Sequence, residues 1–184
     1  MKKYNTIWLL LLALCSIFAG CKKENTNTEE QLPPETQTGA YTFGCKVDGK
    51  IYTARVKEGL LADQFVWYNI SASDSTIHVE VSSSKAKFKF DFGIKYTGNV
   101  GIYLAKTYPY MATFQDESNG TIPEASNTYE TNTNHVGRIN IKFFNGSLNP
   151  VHPGNKLSGT FEMDAINAQG KVIHITEGRF DIGF

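Results

Sequence analysis

The sequence is poor in the residues that cross-link a small protein or give it a strong charge. Its 184 residues include three cysteines and four histidines, and the 18 basic side chains are matched by 18 acidic ones. A net charge of zero provides no basic surface for nucleic acid, so we expect no nucleic-acid partner. The histidines lie at no metal-ligand spacing from one another or from a cysteine, so we expect no metal site and no cofactor.

Catalytic motifs are missing as well. The chain has no nucleophile elbow of the Gly-x-Ser-x-Gly kind and no glycine loop that would hold a phosphate. Asp91, Glu162 and Asp164 fall on the predicted solvent faces of strands, where charges serve solubility. A glycoside hydrolase would need paired acids that converge from separate strands. The sequence therefore favours a protein that is not an enzyme, with a hydrolase as the least favoured alternative.

The one long apolar run lies near the N-terminus. It extends from Ile7 to Phe18 after two lysines, and Cys21 follows it directly after two small residues. The run is shorter than the roughly 20 apolar residues of a membrane span, which indicates a secretory signal. We predict a lipoprotein signal peptide over residues 1–20 and lipidation of Cys21. The alternative is an uncleaved N-terminal anchor in which this cysteine has no role.

The predicted mature chain divides into a tether and a domain. Residues 21–40 contain almost no apolar side chains, so we predict a lipid-anchored flexible tether. Residues 41–184 are predicted to form a single domain. Acyl chains would hold it at a membrane, which we expect to be the outer membrane, on its periplasmic face or at the cell surface. Cys45 then has no disulfide partner, and we expect it to be a small buried hydrophobe.

The domain has the hydrophobic period of β-strands. Apolar residues occupy every second position from Phe88 to Ile94, between lysines and an aspartate. The same alternation occurs over three further segments, 76–82, 138–143 and 156–164. Alternation of this kind is typical of antiparallel strands with one face on a core. We predict an all-β fold, an antiparallel β-sandwich of roughly nine or ten strands, with a β-barrel as the alternative.

Turn residues separate the predicted strands. Asp48-Gly49 predicts a two-residue type I′ hairpin, because both positions accept a positive φ. Residues 97–99 and 167–170 predict two further hairpin connections. The apolar phase of the last segment changes near Gly178, which predicts a β-bulge that inserts one residue.

Two segments carry a family resemblance. The stretch Leu32–Gly39 with Thr42–Lys50 resembles the start of a family of Bacteroidota lipoproteins of unknown function. Ser158–Phe161 with Gly178–Asp181 is similar to the C-terminal hairpin of that family. The resemblance implies a small secreted β domain on a lipid anchor and names no activity. It leaves residues 60–135 unmatched.

Tyrosines are the most suggestive candidates for ligand contacts. Tyr108 and Tyr110 follow a predicted strand, and Tyr129 lies in a polar stretch that we interpret as loop. Loop tyrosines give a large contact area at a low entropic cost, so they suit a sugar ring or a protein pocket. The alternative is that Tyr108 and Tyr110 pack over the open end of the core. Trp67 is assigned to the core.

A modification site is also predicted. The triplet from Asp74 to Thr76 resembles the short O-glycosylation sequon of Bacteroidota, with Ser75 as the acceptor.

The sequence leaves three hypotheses for the function of the domain. The first is a non-catalytic binding or accessory domain for a glycan or an envelope protein. The second is a structural envelope lipoprotein without a small ligand, and the third is a hydrolase.

Overall fold

The fold consists of antiparallel strands. The computed structural model describes residues 31–55, 64–71, 75–118, 125–146 and 154–183, with only the backbone of 64–71. The predicted signal peptide, Cys21, Asp74 and the side chain of Trp67 lie outside this description. In the described ranges there is no helix of the length and apolar character that a membrane span requires.

Eleven strands are present in the described residues. They are β1 (Thr42–Val47), β2 (Lys50–Arg55), β3 (Gln64–Ser71), β4 (Thr76–Ser83), β5 (Phe88–Lys95), β6 (Gly101–Ala105), β7 (Ala112–Asp116), β8 (Thr128–Glu130), β9 (Gly137–Phe144), β10 (Lys156–Ile166) and β11 (Val172–Gly183).

The strands form one continuous sheet that is nearly closed into a barrel. Its path runs β2-β1-β11-β10-β8-β7-β5-β4-β3, and β9 and β6 lie off this path. The branch occurs at β10, whose first part pairs with β9 while its last residue, Ile166, pairs with Glu130 of β8. The predicted all-β antiparallel fold is confirmed, and the single sheet corresponds to the barrel alternative.

The predicted alternation places one face of every major strand in a shared core. The ring of Phe161 lies 5.3 Å from that of Phe43 and 4.9 Å from that of Phe90, measured between centroids. Phe92 contacts Phe180 at 5.4 Å. Phe88, Phe90, Phe92 and Ile94, whose pattern predicted β5, are all fully buried. Burial of large aromatic side chains is the main favourable contribution to such a core.

Two of the three predicted hairpins are confirmed. Asp48 and Gly49 have φ angles of 48° and 84°, which is the type I′ geometry. Residues 167–170 join β10 to β11, with a hydrogen bond of 3.0 Å from the Gly170 amide to the Asn167 carbonyl. The predicted hairpin at residues 97–99 is wrong. Strand β5 already pairs with β4 and β7, so β6 pairs with β9 instead.

The predicted bulge in the last strand is also confirmed. Phe161 pairs with Gly178 and Met163 pairs with Ile175, so β11 has one more residue than β10 between these pairs. Glu177 adopts a φ of 51° at this point. A Cβ atom on Gly178 would lie 2.4 Å from the Phe161 ring, so the position requires glycine. The bulge keeps Ile175 and Phe180 in the core despite their different sequence phase.

Residues 31–40, the second half of the predicted tether, lie against the outside of the sheet; we call them the N-terminal strap. The strap is held by the carboxylate of Asp181 on β11, which is only 1% exposed. This carboxylate accepts hydrogen bonds from the Thr36 hydroxyl at 2.5 Å, the Thr38 amide at 3.0 Å and the Gly39 amide at 2.8 Å. The described structure of the domain therefore begins before residue 41.

Three further contacts position the strap. Its Pro33 packs on Gly44 of β1 so closely that a Cβ atom there would lie 2.5 Å from the proline ring. The Pro33 carbonyl accepts a hydrogen bond of 3.3 Å from the Arg179 guanidinium. Glu35 forms an ion pair with Lys142 of β9. The strap thus crosses the outer faces of β1, β11 and β9.

We predict that Asp181→Asn lowers the free energy of unfolding by about 1–3 kcal/mol at pH 7, because an amide cannot accept all of these hydrogen bonds. Burial raises the pKa of the Asp181 carboxyl, but hydrogen bonds from Thr36 and the amides of residues 38–40 outweigh it and hold the pKa below its ordinary value. The stabilisation is therefore complete above the unfolded pKa of about 3.9 and is lost as the pH falls through the folded pKa. Urea unfolding at a series of pH values measures it.

The matched control for this experiment is Asp164→Asn. Asp164 is exposed and contacts only the exposed His174 among the described partners, so we expect a change of less than about 0.5 kcal/mol. A stability difference between wild type and Asp181→Asn that stays the same from pH 7 to pH 2 would contradict the role given to the carboxylate.

Candidate functional site

Exposed apolar side chains are concentrated in one short segment. Among the described residues, the large hydrophobic side chains that are exposed are Val100 (58%), Ile102 (66%), Leu104 (47%) and Tyr108 (87%). All four lie between positions 100 and 108. Single exposed apolar residues are ordinary, but a contiguous group of them marks an interaction surface.

Strand β6 has apolar residues on both of its faces, so those on its outer face are left exposed. Ala105 is buried and Tyr103 packs against the core, so Ile102 and Leu104 point outwards. They lie opposite Asn140 and Arg138 of β9. We call Val100, Ile102 and Leu104 the β6 ridge. Polar residues usually occupy outward positions of this kind.

One edge of β6 is open. Strand β9 pairs with one side of β6, and no strand in the described ranges pairs with the other. Strand β5 pairs with β4 on one edge and, from Phe88 to Phe92, with β7 on the other, and it forms no ladder with β6. An open edge presents backbone amide and carbonyl groups without partners in the sheet. The part of the chain described here therefore leaves a backbone surface beside the ridge.

A groove of about 470 Å³ follows this open edge; we call it the edge groove. It is lined by Lys95, Thr97, Asn99, Val100, Gly101, Ile102, Tyr103, Leu104, Lys106, Thr107 and Tyr110. Its lining includes two lysines and no carboxylate, so its charge is positive. The volume lies within the range of small-ligand and peptide sites.

A second groove of about 490 Å³ lies on the other side of the ridge. Its walls are the outer faces of β9, β10 and β11 and the strap residue Glu35, and Ile102 borders it. The charged residues of this groove are Glu35, Arg138, Lys142, Glu162, Glu177 and Arg179. Three basic and three acidic groups balance here, so of these two grooves the edge groove is the one with a net charge.

The loop between β6 and β7 forms one end of the edge groove. The Tyr110 carbonyl accepts hydrogen bonds from the Lys106 amide at 2.6 Å and the Thr107 amide at 3.0 Å, and the Tyr110 amide donates to the Thr107 carbonyl at 2.6 Å. Tyr108 stands at the tip of the loop and is 87% exposed, so it does not pack over the core. Tyr110 is half-buried and lines the groove. Of these two predicted contact residues, Tyr110 therefore lines the groove and Tyr108 is exposed on the loop that closes its end.

The third predicted contact residue, Tyr129, lies elsewhere. It belongs to strand β8, is 6% exposed and pairs with Phe114 of β7. The interpretation of this stretch as loop is wrong at Tyr129, which lies in a strand. The sequence does not reveal β8, because a strand of three residues is too short to show an alternation of apolar and polar side chains. Its ring packs in the core, with the Lys171 ammonium 5.8 Å from the ring centroid. Tyr129 is not available to a ligand.

The predicted glycosylation site lies in the turn before β4. Ser75 has a φ of 57° and is half-buried, and its carbonyl accepts a hydrogen bond of 2.7 Å from the Tyr96 amide. Thr76, the last residue of the triplet, is fully buried. The modification of Ser75 stays a prediction.

The acidic side chains that share a cleft are those of the second groove, where Glu35 pairs with Lys142, and Glu177 pairs with Lys46 and Arg179. The His174 ring contacts Asp164 at 2.7 Å, and this hydrogen bond raises the pKa of His174, but both side chains are exposed. Asp91 was expected on a solvent face. It is half-buried instead, and burial raises its pKa. In the described ranges, no three histidine, cysteine or acidic side chains are close enough to hold a metal ion.

The thiol of Cys45 is unreactive as well. Its side chain is fully buried in the core, as predicted, and burial raises its pKa well above the ordinary value. A thiol in that state is neither a nucleophile nor a metal ligand at neutral pH.

We predict opposite results for two tyrosine substitutions. Tyr129→Ala removes a buried ring and should lower the free energy of unfolding by about 3–5 kcal/mol. Tyr108→Ala removes an exposed ring and should change it by less than about 0.5 kcal/mol. Urea unfolding monitored by fluorescence measures both values. Equal effects of the two substitutions would contradict these placements.

The chain was compared with known proteins in three ways. It matches no protein-family model, no curated protein and no solved structure. The family resemblance noted above therefore stays a prediction, and the geometry around β6 is the basis for an assignment of function.

Proposed function

We propose that this protein is a non-catalytic binding domain of the bacterial envelope that contacts a partner protein through the β6 ridge. The observation that carries the proposal is the grouping of Val100, Ile102, Leu104 and Tyr108, the exposed large apolar side chains of the described residues. Exposure of such side chains is unfavourable in water, and burial against a partner removes that cost.

The chemistry of the surface favours a protein over a glycan. Three of the four exposed residues are aliphatic, whereas a sugar ring stacks on aromatic faces. Tyr108 is the one strongly exposed aromatic ring in the described residues. Protein interfaces bury aliphatic and aromatic side chains at their centre and leave charged groups at the rim. The edge groove has this composition, with Lys95 and Lys106 beside the apolar ridge. A glycan ligand is the second candidate, supported by Tyr108 and Tyr110.

The position of the strap supports a partner in the same envelope. Glu35 of the strap and Ile102 of the ridge border the same groove, and the strap begins beside Gly44 of β1, on which Pro33 packs. Residue 31 is ten positions from Cys21, and a fully extended chain of that length reaches about 35 Å. With Cys21 lipidated in the outer membrane, as we propose, the domain would lie within a short distance of that membrane.

The alternatives make different demands on the same surface. A structural lipoprotein without a ligand would not need the apolar ridge. A hydrolase would need acids or histidines that meet in one cleft. In the described residues Glu35, Glu162 and Glu177 share the second groove, but Glu35 is paired with Lys142, and Glu177 with Lys46 and Arg179. The proposed binding role is the one that uses the most unusual surface of the domain.

Site-specific photo-crosslinking in the cell envelope of the native host tests this proposal. We expect a benzophenone side chain in place of Tyr108 to give a discrete adduct, because that position is strongly exposed and follows the ridge residue Leu104 by four positions. Ile102→Ser combined with Leu104→Ser should reduce the adduct by at least about tenfold, since central apolar contacts contribute most of the binding free energy.

The matched control replaces Glu80, an exposed outward residue of β4, with the same benzophenone side chain. We expect no adduct from position 80. Circular dichroism should show that the double serine variant keeps its fold, because both side chains are exposed. Equal adducts from positions 108 and 80, or an adduct that the serine variant leaves unchanged, would reject the ridge as the contact surface.

A further inference from the structure

We infer that the partner binds as an extended strand that pairs with the open edge of β6 and carries acidic side chains. This inference rests on the proposed function, because it names the form in which a protein partner occupies the same surface. It assigns the edge groove to a peptide segment of alternating apolar residues with Asp or Glu.

The first argument is the backbone of β6. Its five residues pair with β9 on one side only, and the described part of the chain supplies no strand for the other side. Amide and carbonyl groups along an open edge pair with an added strand, and this pairing supplies affinity without a particular side-chain sequence. A lipid surface cannot satisfy those backbone groups, so the open edge favours a polypeptide over a membrane.

The second argument is the spacing of the ridge. Val100, Ile102 and Leu104 are two residues apart, and the exposed side chains of Ile102 and Leu104 stand on the outer face of β6. A strand added beside β6 would place every second side chain on that same face. Side chains on neighbouring strands contact each other across the pair. The ridge therefore selects apolar residues at alternate positions of the added segment.

The third argument is charge. Lys95 and Lys106 line the edge groove, and both are exposed with no acidic residue in the lining. The second groove, by contrast, balances its basic and acidic residues. Complementary charge fixes the register of a bound segment and excludes partners of like charge. A second copy of this chain would bring the same lysines to the groove, so an acidic segment is the better occupant.

Selection of peptides on the full chain in detergent micelles tests the inference. The probe is a phage-displayed library of random decapeptides. We expect enriched sequences that alternate apolar residues with Asp or Glu. Their binding should weaken at least tenfold in Ile102→Ser combined with Leu104→Ser. It should weaken several-fold in Lys95→Gln combined with Lys106→Gln, and the loss should be larger at low salt.

Backbone methylation of an enriched peptide separates strand pairing from other modes of binding. N-methyl groups on alternate amides of a strand block hydrogen bonding along one edge only. We expect one set of alternate methyl groups to reduce binding at least tenfold, and the set shifted by one residue to leave it nearly unchanged. Equal tolerance of both sets would overturn strand pairing. Enriched peptides without acidic residues or alternation would overturn the assigned chemistry.

Two further results would overturn the inference. One is the absence of any enriched peptide. The other is a dimer in analytical ultracentrifugation that Ile102→Ser dissociates, which would assign the groove to a second copy. The crosslinking experiment separates this failure from that of the proposed function. An adduct at position 108 that depends on the ridge, with no strand-pairing peptide, rejects the inference alone.

Discussion

Strand β10 pairs with β11 along one edge and divides its other edge between two partners. Most of this second edge belongs to β9, and only Ile166 at its end pairs with β8. The sheet therefore continues into the barrel through β8 and also extends a short arm of β9 and β6. Backbone groups require hydrogen-bond partners, and in the described residues this arm ends with an edge of β6 that no strand covers.

The candidate surface follows from that branch. Because β6 lies off the barrel path, only its inner face contributes to the core, through Ala105 and Tyr103. Its outer face carries Ile102 and Leu104, which are exposed. The apolar ridge, the open backbone and the two lysines of the edge groove thus come from one topological feature, the branch at β10.

The N-terminal strap connects this surface to the predicted anchor. A carboxylate that is 99% buried would destabilise the fold if it had no partners, and the strap supplies them to Asp181. The same segment brings Glu35 to the groove beside Ile102. Residues 32–39, which carry the family resemblance, are therefore part of the packed structure and define where the chain leaves the domain.

Local chemistry in the sequence determined the strands, the turn at Asp48-Gly49 and the bulge at Gly178, because side-chain alternation and positive φ are properties of neighbouring residues. Long-range pairing decided the rest. Residues 97–99 have turn chemistry, yet β5 pairs with β4 and β7, and β6 pairs with β9. Tyr129 became buried because β8 joins β7 to β10. Because β6 is apolar on both faces, its sequence does not show which face packs on the core. Only the tertiary structure determines that Ile102 and Leu104 point outwards.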